Sequence, residues 1–263
     1  MSVKDSSLRD FVYEIFEKIN MIPKVIHYCW FGRNPLPKLA LKCIESWKKY
    51  FPDYEIKEWN EDNFDVNIIP YTAEAYKAKK YAFVSDYARF WILYKYGGLY
   101  FDTDVEVIKP MDDIIAKGPF MGCENAAKAG ATAAQLHVAP GLGLGVNPGL
   151  GLYGEILDDY KNSHFVDENG VFNLKTVVIR TTEVLEKYGF CNTPDIQCVD
   201  GIHIYPKEYF CPLDYYTRKL TITPNTYCIH WFDGSWIPRS EKLKTMLMRY
   251  SIVKTIHSWL KKW

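Results

Sequence analysis

Hydrophobic positions along this chain alternate between two periods, and the switches mark out its elements. Leu8, Phe11, Val12, Ile15, Phe16 and Ile19 recur at three-four spacing, which predicts an N-terminal amphipathic helix with mixed charges opposite. Pro23 ends it, and the apolar run 24–30 reads as a buried strand followed by a loop at 31–35. A helix over 37–49 and an alternating strand over 54–59 come next, with Asn60 placed to cap another short helix. Residues 81–96 form a strongly apolar helix that ends at Gly97-Gly98, before a short strand over 99–101 and another over 105–108 closed by Lys109-Pro110. Further on, 174–188 is helical with Gly189 as its C-cap, and short strands and turns occupy 202–227. Leu243, Met246, Leu247, Tyr250, Val253, His257 and Leu260 make one stripe of a C-terminal helix. This order predicts an α/β fold: a mostly parallel twisted sheet with helices on both faces, over 22–238. Terminal amphipathic helices at 1–21 and 239–263 flank it.

The chemistry concentrates where the 99–101 strand runs into Asp102-Thr103-Asp104. Period-two alternation points Asp102 and Asp104 the same way and Thr103 the other. Two converging carboxylates repel and lose hydration, and a divalent cation relieves both costs. Oxygen ligands suit Mg²⁺ or Mn²⁺, which commonly complete their shells with substrate phosphates. The tripeptide equally fits a turn or a helix cap. Asp86 and Arg89, three apart on the apolar helix, share a face and can pair, either as an ordinary intrahelical ion pair or as the lining of a cleft.

Ligands of such sheets lie beyond the carboxyl ends of the strands, where the acidic pair falls. The loop after the first strand opens there too, which makes Trp30 a stacking surface for a flat ring or else a core residue. Glycines crowd 126–154 without a phosphate-loop spacing, so this stretch is expected to be a loop and a tightly packed strand beside the site. His230, flanked by aromatics in 228–236, is either a structural histidine or a third metal ligand, since neutral imidazole joins carboxylates around Mn²⁺.

Composition narrows the classes. The 263 residues are 48% hydrophobic, enough for a substantial core, and their 32 basic and 32 acidic side chains balance, which removes any overall field for nucleic acid. Seven scattered cysteines with no C-x-x-C pair argue against a disulfide framework and a zinc site. Neither a signal peptide nor a spanning run is evident, so a cytoplasmic chain is expected. From Arg239 onward, seven Lys or Arg face one acid, Glu241, which reads as contact with an anionic membrane face or as a solvated basic helix.

Three blocks, residues 22–32 (I-P-K-V-I-H-Y-C-W-F-G), 85–89 (S-D-Y-A-R) and 97–104 (G-G-L-Y-F-D-T-D), together resemble glycosyltransferase family 32, the D-x-D sugar transferases. The resemblance is firm over 22–112 and looser over 230–236. It implies a GT-A fold, a nucleotide-sugar donor, a divalent metal, a glycan or lipid-linked oligosaccharide acceptor, and retention at the anomeric carbon. By the same resemblance Trp30 stacks on the base, Asp86 and Arg89 contact the donor's ribose and sugar hydroxyls, and Asp102 and Asp104 hold metal and diphosphate. His230 corresponds to a late metal-coordinating histidine, and Trp236 to a residue closing over the phosphates. The glycine-rich stretch departs from the family pattern. A metal-dependent phosphodiesterase built on the same acidic pair, and a non-catalytic glycan-binding module, are the competing expectations.

Overall fold

The structure is a computed structural model that describes residues 21–126 and 135–234. The helices expected at the two ends of the chain, and Trp236, lie outside those residues.

In chain order the elements are β1 (Val25–Cys29), α1 (Lys38–Tyr50), β2 (Glu55–Trp59), α2 (Pro70–Lys77), α3 (Tyr81–Tyr96), β3 (Gly98–Tyr100), β4 (Val105–Val107) and α4 (Asp112–Ile115). They continue as β5 (Phe120–Gly122), β6 (Leu144–Val146), α5 (Gly151–Lys161), α6 (Val177–Lys187), β7 (Gln197–Val199), β8 (Ile202–Tyr205), α7 (Lys207–Phe210) and β9 (Cys228–His230). Seven strands form one sheet in the order β2-β1-β3-β6-β5-β8-β7, and β4 pairs with β9 in a separate ribbon. Following the pairings across the sheet, β6 and β7 run against the other five strands. The sheet is therefore mixed but mostly parallel, as expected of a GT-A-type α/β domain.

Period-two alternation sorts the strand residues into two cores. Cys29, Tyr100 and Met121 join one cluster with the buried faces of α3, α5 and α6, while Ile26, Leu99 and Phe120 join another with α1 and α7. Helices therefore cover both faces, which fits strands this short and this apolar. The strongest single element is α3, whose Phe83, Val84, Tyr87, Phe90, Ile92 and Leu93 are all buried.

His27 locks the sheet to the end of α3. Its Nδ1 accepts from the Trp59 indole at 3.0 Å, so its Nε2–H donates to the Gly97 carbonyl at 3.0 Å. Gly98, at φ +98°, lets that turn approach: a Cβ there would lie 2.7 Å from the Val25 carbonyl oxygen.

Two expectations need correction, and one helix was not expected. No helix follows Asn60, which instead accepts the Phe64 amide in a single turn. The unexpected helix is α2; it opens on Pro70, a residue suited to the first helical position. The end of the glycine-rich stretch is not loop: Leu152, Tyr153, Ile156, Leu157 and Tyr160 are a buried helical stripe of α5, masked in the sequence by Gly151 and Gly154.

Candidate active site

The carboxyl ends of β1, β3 and β5 share one edge of the sheet, and a cleft of about 820 Å³ opens along it. Trp30, Asp86, Arg89, Asp102, Asp104 and His230 all line it. Of the site residues expected from the sequence, Trp236 is the one outside the described residues.

Asp102 and Asp104 converge by a different route from the one expected. β3 ends at Tyr100, and the Asp102 carbonyl accepts the Val105 amide at 3.0 Å, so residues 102–105 form a turn. Thr103 consequently lines the cleft as well, rather than pointing to the opposite face. Turn geometry, not strand alternation, brings the carboxylates together. His230 arrives through the β4–β9 ribbon, where it sits directly opposite Val105. The Trp231 amide donates to the Asp104 carbonyl at 2.9 Å, extending that ladder by one bond.

Ligand atoms of Asp102, Asp104 and His230 all lie within 4.8 Å of one another. Two carboxylates and an imidazole, half-buried together, are a donor set suited to a hard or borderline divalent cation such as Mg²⁺ or Mn²⁺. The backbone is shaped around the first ligand. Gly141 packs so closely on Asp102 that a Cβ there would stand 2.0 Å from Oδ2, and its carbonyl accepts the Asp102 amide at 3.0 Å. Within the glycine-rich stretch, residues 135–150 hold β6 and the loop that brings Gly141 against Asp102.

Each carboxylate has its own compensation. Burial acts to raise the pKa of Asp104, but the His230 ring at 3.3 Å and the Asp233 amide at 2.8 Å outweigh it and hold the group below its ordinary value. Burial works against the charge on His230, and Asp104 overrides it, pushing the imidazole well above its usual range. Asp102 accepts from the Tyr100 hydroxyl at 3.1 Å and lies 3.3 Å from the Arg89 guanidinium.

Arg89 is 4% exposed and bridges this centre to Asp86, to which it donates at 2.9 Å. It also lies over the Tyr100 ring, 5.0 Å from the centroid. The expected Asp86–Arg89 pair is therefore present and lines the cleft. Burial raises Asp86 to a pKa of about 6, with Arg89 and the Val177 amide at the start of α6 pulling the other way. A buried pair of this kind costs about 3–5 kcal/mol when one partner is removed, because the survivor is left uncompensated. Trp30 sits half-buried at the rim, its indole donating to the Asn34 carbonyl at 2.6 Å.

Several lining residues carry no local signal in the sequence. Glu124 follows β5, and burial raises its carboxyl pKa against the opposing charges of His137, His230 and Lys207. Tyr215 comes from a segment that no motif marks, while Phe232 and Asp233 lie in the 228–236 segment singled out for His230 but were given no role of their own.

Residues 37–121 match the family described as the glycosyltransferase sugar-binding region containing the DXD motif. Over 115 residues the chain is 29% identical to inositol phosphoceramide mannosyltransferase 1 of Schizosaccharomyces pombe, covering 40% of this chain and 34% of that one. Over 98 residues it is 33% identical to inositol phosphoceramide mannosyltransferase 3 of the same yeast, covering 36% and 27%. The chain thus spans about a third or less of the length of these relatives. Among solved structures, the PaToxG glycosyltransferase is similar at a TM-score of 0.46 and 20% identity, over 68% of this chain and 78% of that one.

Proposed function

We propose, from the premise that residues 37–121 are a D-x-D-type glycosyltransferase sugar-binding region, that this protein transfers a hexose from a nucleoside diphosphate sugar to a glycan hydroxyl. The observation that carries the reading is the meeting of Asp102, Asp104 and His230 within 4.8 Å in a cleft that Trp30, Asp86 and Arg89 also line.

In this reading Asp102, Asp104 and His230 hold Mn²⁺ or Mg²⁺, which when bound supplies positive charge against the departing diphosphate. Trp30 offers a flat apolar face for the nucleotide base, and the sugar donor is a UDP-sugar or a related nucleoside diphosphate hexose. Asp86 accepts hydrogen bonds from donor hydroxyls while Arg89, pinned between Asp86 and Asp102, fixes its orientation and adds a buried positive charge. The bond from the anomeric carbon to the diphosphate oxygen breaks and a bond to the acceptor oxygen forms. The acceptor's proton passes to the leaving phosphate on the same face, which accounts for retention. The products are a nucleoside diphosphate and a glycoside. Trp236 is assigned to closure over the phosphates.

The mannosyltransferase names of the relatives make mannose a leading donor sugar, and the inositol phosphoceramide in those names favours a lipid-linked acceptor, in keeping with a role in cell-surface polysaccharide or glycolipid synthesis. No helix among the described residues is long and apolar enough to cross a membrane. The basic segment 239–263 is the proposed peripheral contact with an anionic surface. Unchanged cosedimentation with phosphatidylserine vesicles after removal of residues 240–263 would count against that contact.

The decisive experiment is a thermal shift with UDP or GDP, with and without Mn²⁺, on wild type and on Asp102→Ala/Asp104→Ala. Wild type should gain stability from the combination of nucleotide and metal, and the double variant should not. Retention of the combined shift, or of metal-dependent donor hydrolysis, by the double variant refutes the proposal. A phosphodiesterase would need a larger ligand set for two metals. A glycan-binding module would show no nucleotide–metal synergy.

A further inference from the structure

The roles assigned above occupy the part of the cleft beyond β1 and β3. Across β6, beyond the end of β5, lies a second group of lining residues that the donor reading leaves without a task. Glu124 is two residues past the end of β5, and Tyr215 comes from the turn after Leu213.

These two are built into one support. The Lys207 ammonium at the start of α7 donates to the Glu124 carbonyl at 2.8 Å and reaches the Leu213 carbonyl at 3.5 Å, tying the two segments together. The Glu124 amide is held by the His137 carbonyl at 2.9 Å. Leu213 bridges to Leu220, and Asp214 accepts from the amides of Tyr216 and Thr217, so the turn that carries Tyr215 is fixed at its base. Tyr215 packs edge-on against Phe232 with centroids 5.2 Å apart, and Phe232 lies 4.2 Å from the His230 ring. An aromatic row therefore leads from this turn to the proposed metal ligands.

The carboxylates of the two sides differ in their partners. Asp86 and Asp102 are both bonded to Arg89. The Glu124 carboxylate is 32% exposed, and its ion-pair partner among the described residues is the His137 ring, at 3.9 Å. A carboxylate offers about four acceptor positions, so most of its capacity is available to a ligand in the cleft.

We propose that Glu124 and Tyr215 form the acceptor subsite, with the Tyr215 ring stacking on a pyranose or cyclitol face and the Glu124 carboxylate accepting a hydrogen bond from an acceptor hydroxyl. This rests on the glycosyl-transfer reading above. A ring of C–H groups on one face and hydroxyls at its edge matches a half-buried aromatic beside a carboxylate. The strand order puts Glu124 on the opposite side of the acidic turn from Trp30, so an acceptor here and a base there would meet across the metal centre. Glu124 makes no covalent bond in this scheme; it orients the incoming hydroxyl.

The test compares donor hydrolysis, in which water is the acceptor, with transfer to sugars in the same full-length protein. Nucleoside diphosphate hexoses are supplied with Mn²⁺, and the acceptor panel is the methyl pyranosides of mannose, glucose and galactose together with myo-inositol. Glu124→Gln and Tyr215→Ala should each reduce transfer about tenfold more than hydrolysis, through a raised acceptor KM, and Tyr215→Phe should restore the ratio. A wild-type-like thermal shift with nucleotide and Mn²⁺ checks that the variants are folded. Equal losses of hydrolysis and transfer would assign these residues to the donor side or to folding and overturn the subsite. So would a wild-type enzyme that hydrolyses its donor but glycosylates no member of the panel. A wild type with no metal-dependent hydrolysis of any donor would instead sink the transferase reading itself.

Discussion

Replacing Gly141 with alanine would place a methyl carbon 2.0 Å from Asp102 Oδ2, 2.8 Å from its Cγ and 3.3 Å from Arg89 Nη1. Ordinary contact begins near 3.4 Å, so the carboxylate must retreat by about 1.4 Å. Gly141 is not among the glycines in the left-handed region, so the substitution adds no backbone strain. Asp102 is also 31% exposed, which gives its side chain somewhere to go. The fold should therefore survive with little change in Tm, while the first ligand of the proposed metal set is pushed off its position. A displacement of about 1 Å at a reacting centre costs roughly 100-fold in rate, or about 2.7 kcal/mol. The assay is Mn²⁺-dependent donor hydrolysis, alongside the nucleotide–metal thermal shift. Gly141→Ala should lose most of both. If the variant keeps hydrolysis within about threefold of wild type and an intact shift, Asp102 is not a positioned ligand and the argument from close packing fails.

Two further outcomes follow from titrating groups. Burial lowers the His27 pKa from 6.5 to about 4, so between those values the unfolded chain binds the extra proton. Its stabilising contribution is complete above pH 6.5 and is lost as pH falls toward 4, amounting to about 3 kcal/mol. Urea midpoints measured across that window should fall more steeply for wild type than for His27→Gln, and parallel curves would refute the assignment. Asp86, raised by burial to about 6, should be ionised and paired with Arg89 above that pH and protonated below it. Transfer should consequently rise through pH 6 in wild type, and that limb should vanish, at lower overall rate, in Asp86→Asn; an unchanged profile would show that Asp86 does not control it.

The sequence alone specified the parts whose information is local. The apolar helix α3 is found at the residues expected, because an apolar run of sixteen residues is too long for a strand and a glycine pair closes its C-terminal end. The Asp86–Arg89 pair followed from spacing on one helix face, and the acidic pair from its place after a buried strand. Tertiary structure decided what depends on distant segments meeting. His230 reaches the acidic turn because β9 pairs with β4, and the Asp233 amide reaches Asp104 from 129 positions away; no local pattern encodes that register. Gly141 presses on Asp102 because β6 runs antiparallel beside β3, so the meaning of a glycine-rich stretch appeared only with its neighbour in place. Glu124 and Tyr215 are brought to one cleft by Lys207, a bond between segments that share no periodicity. Periodicity reports what a residue does to its own element. The energy of a site lies in contacts between elements, and the fold sets those.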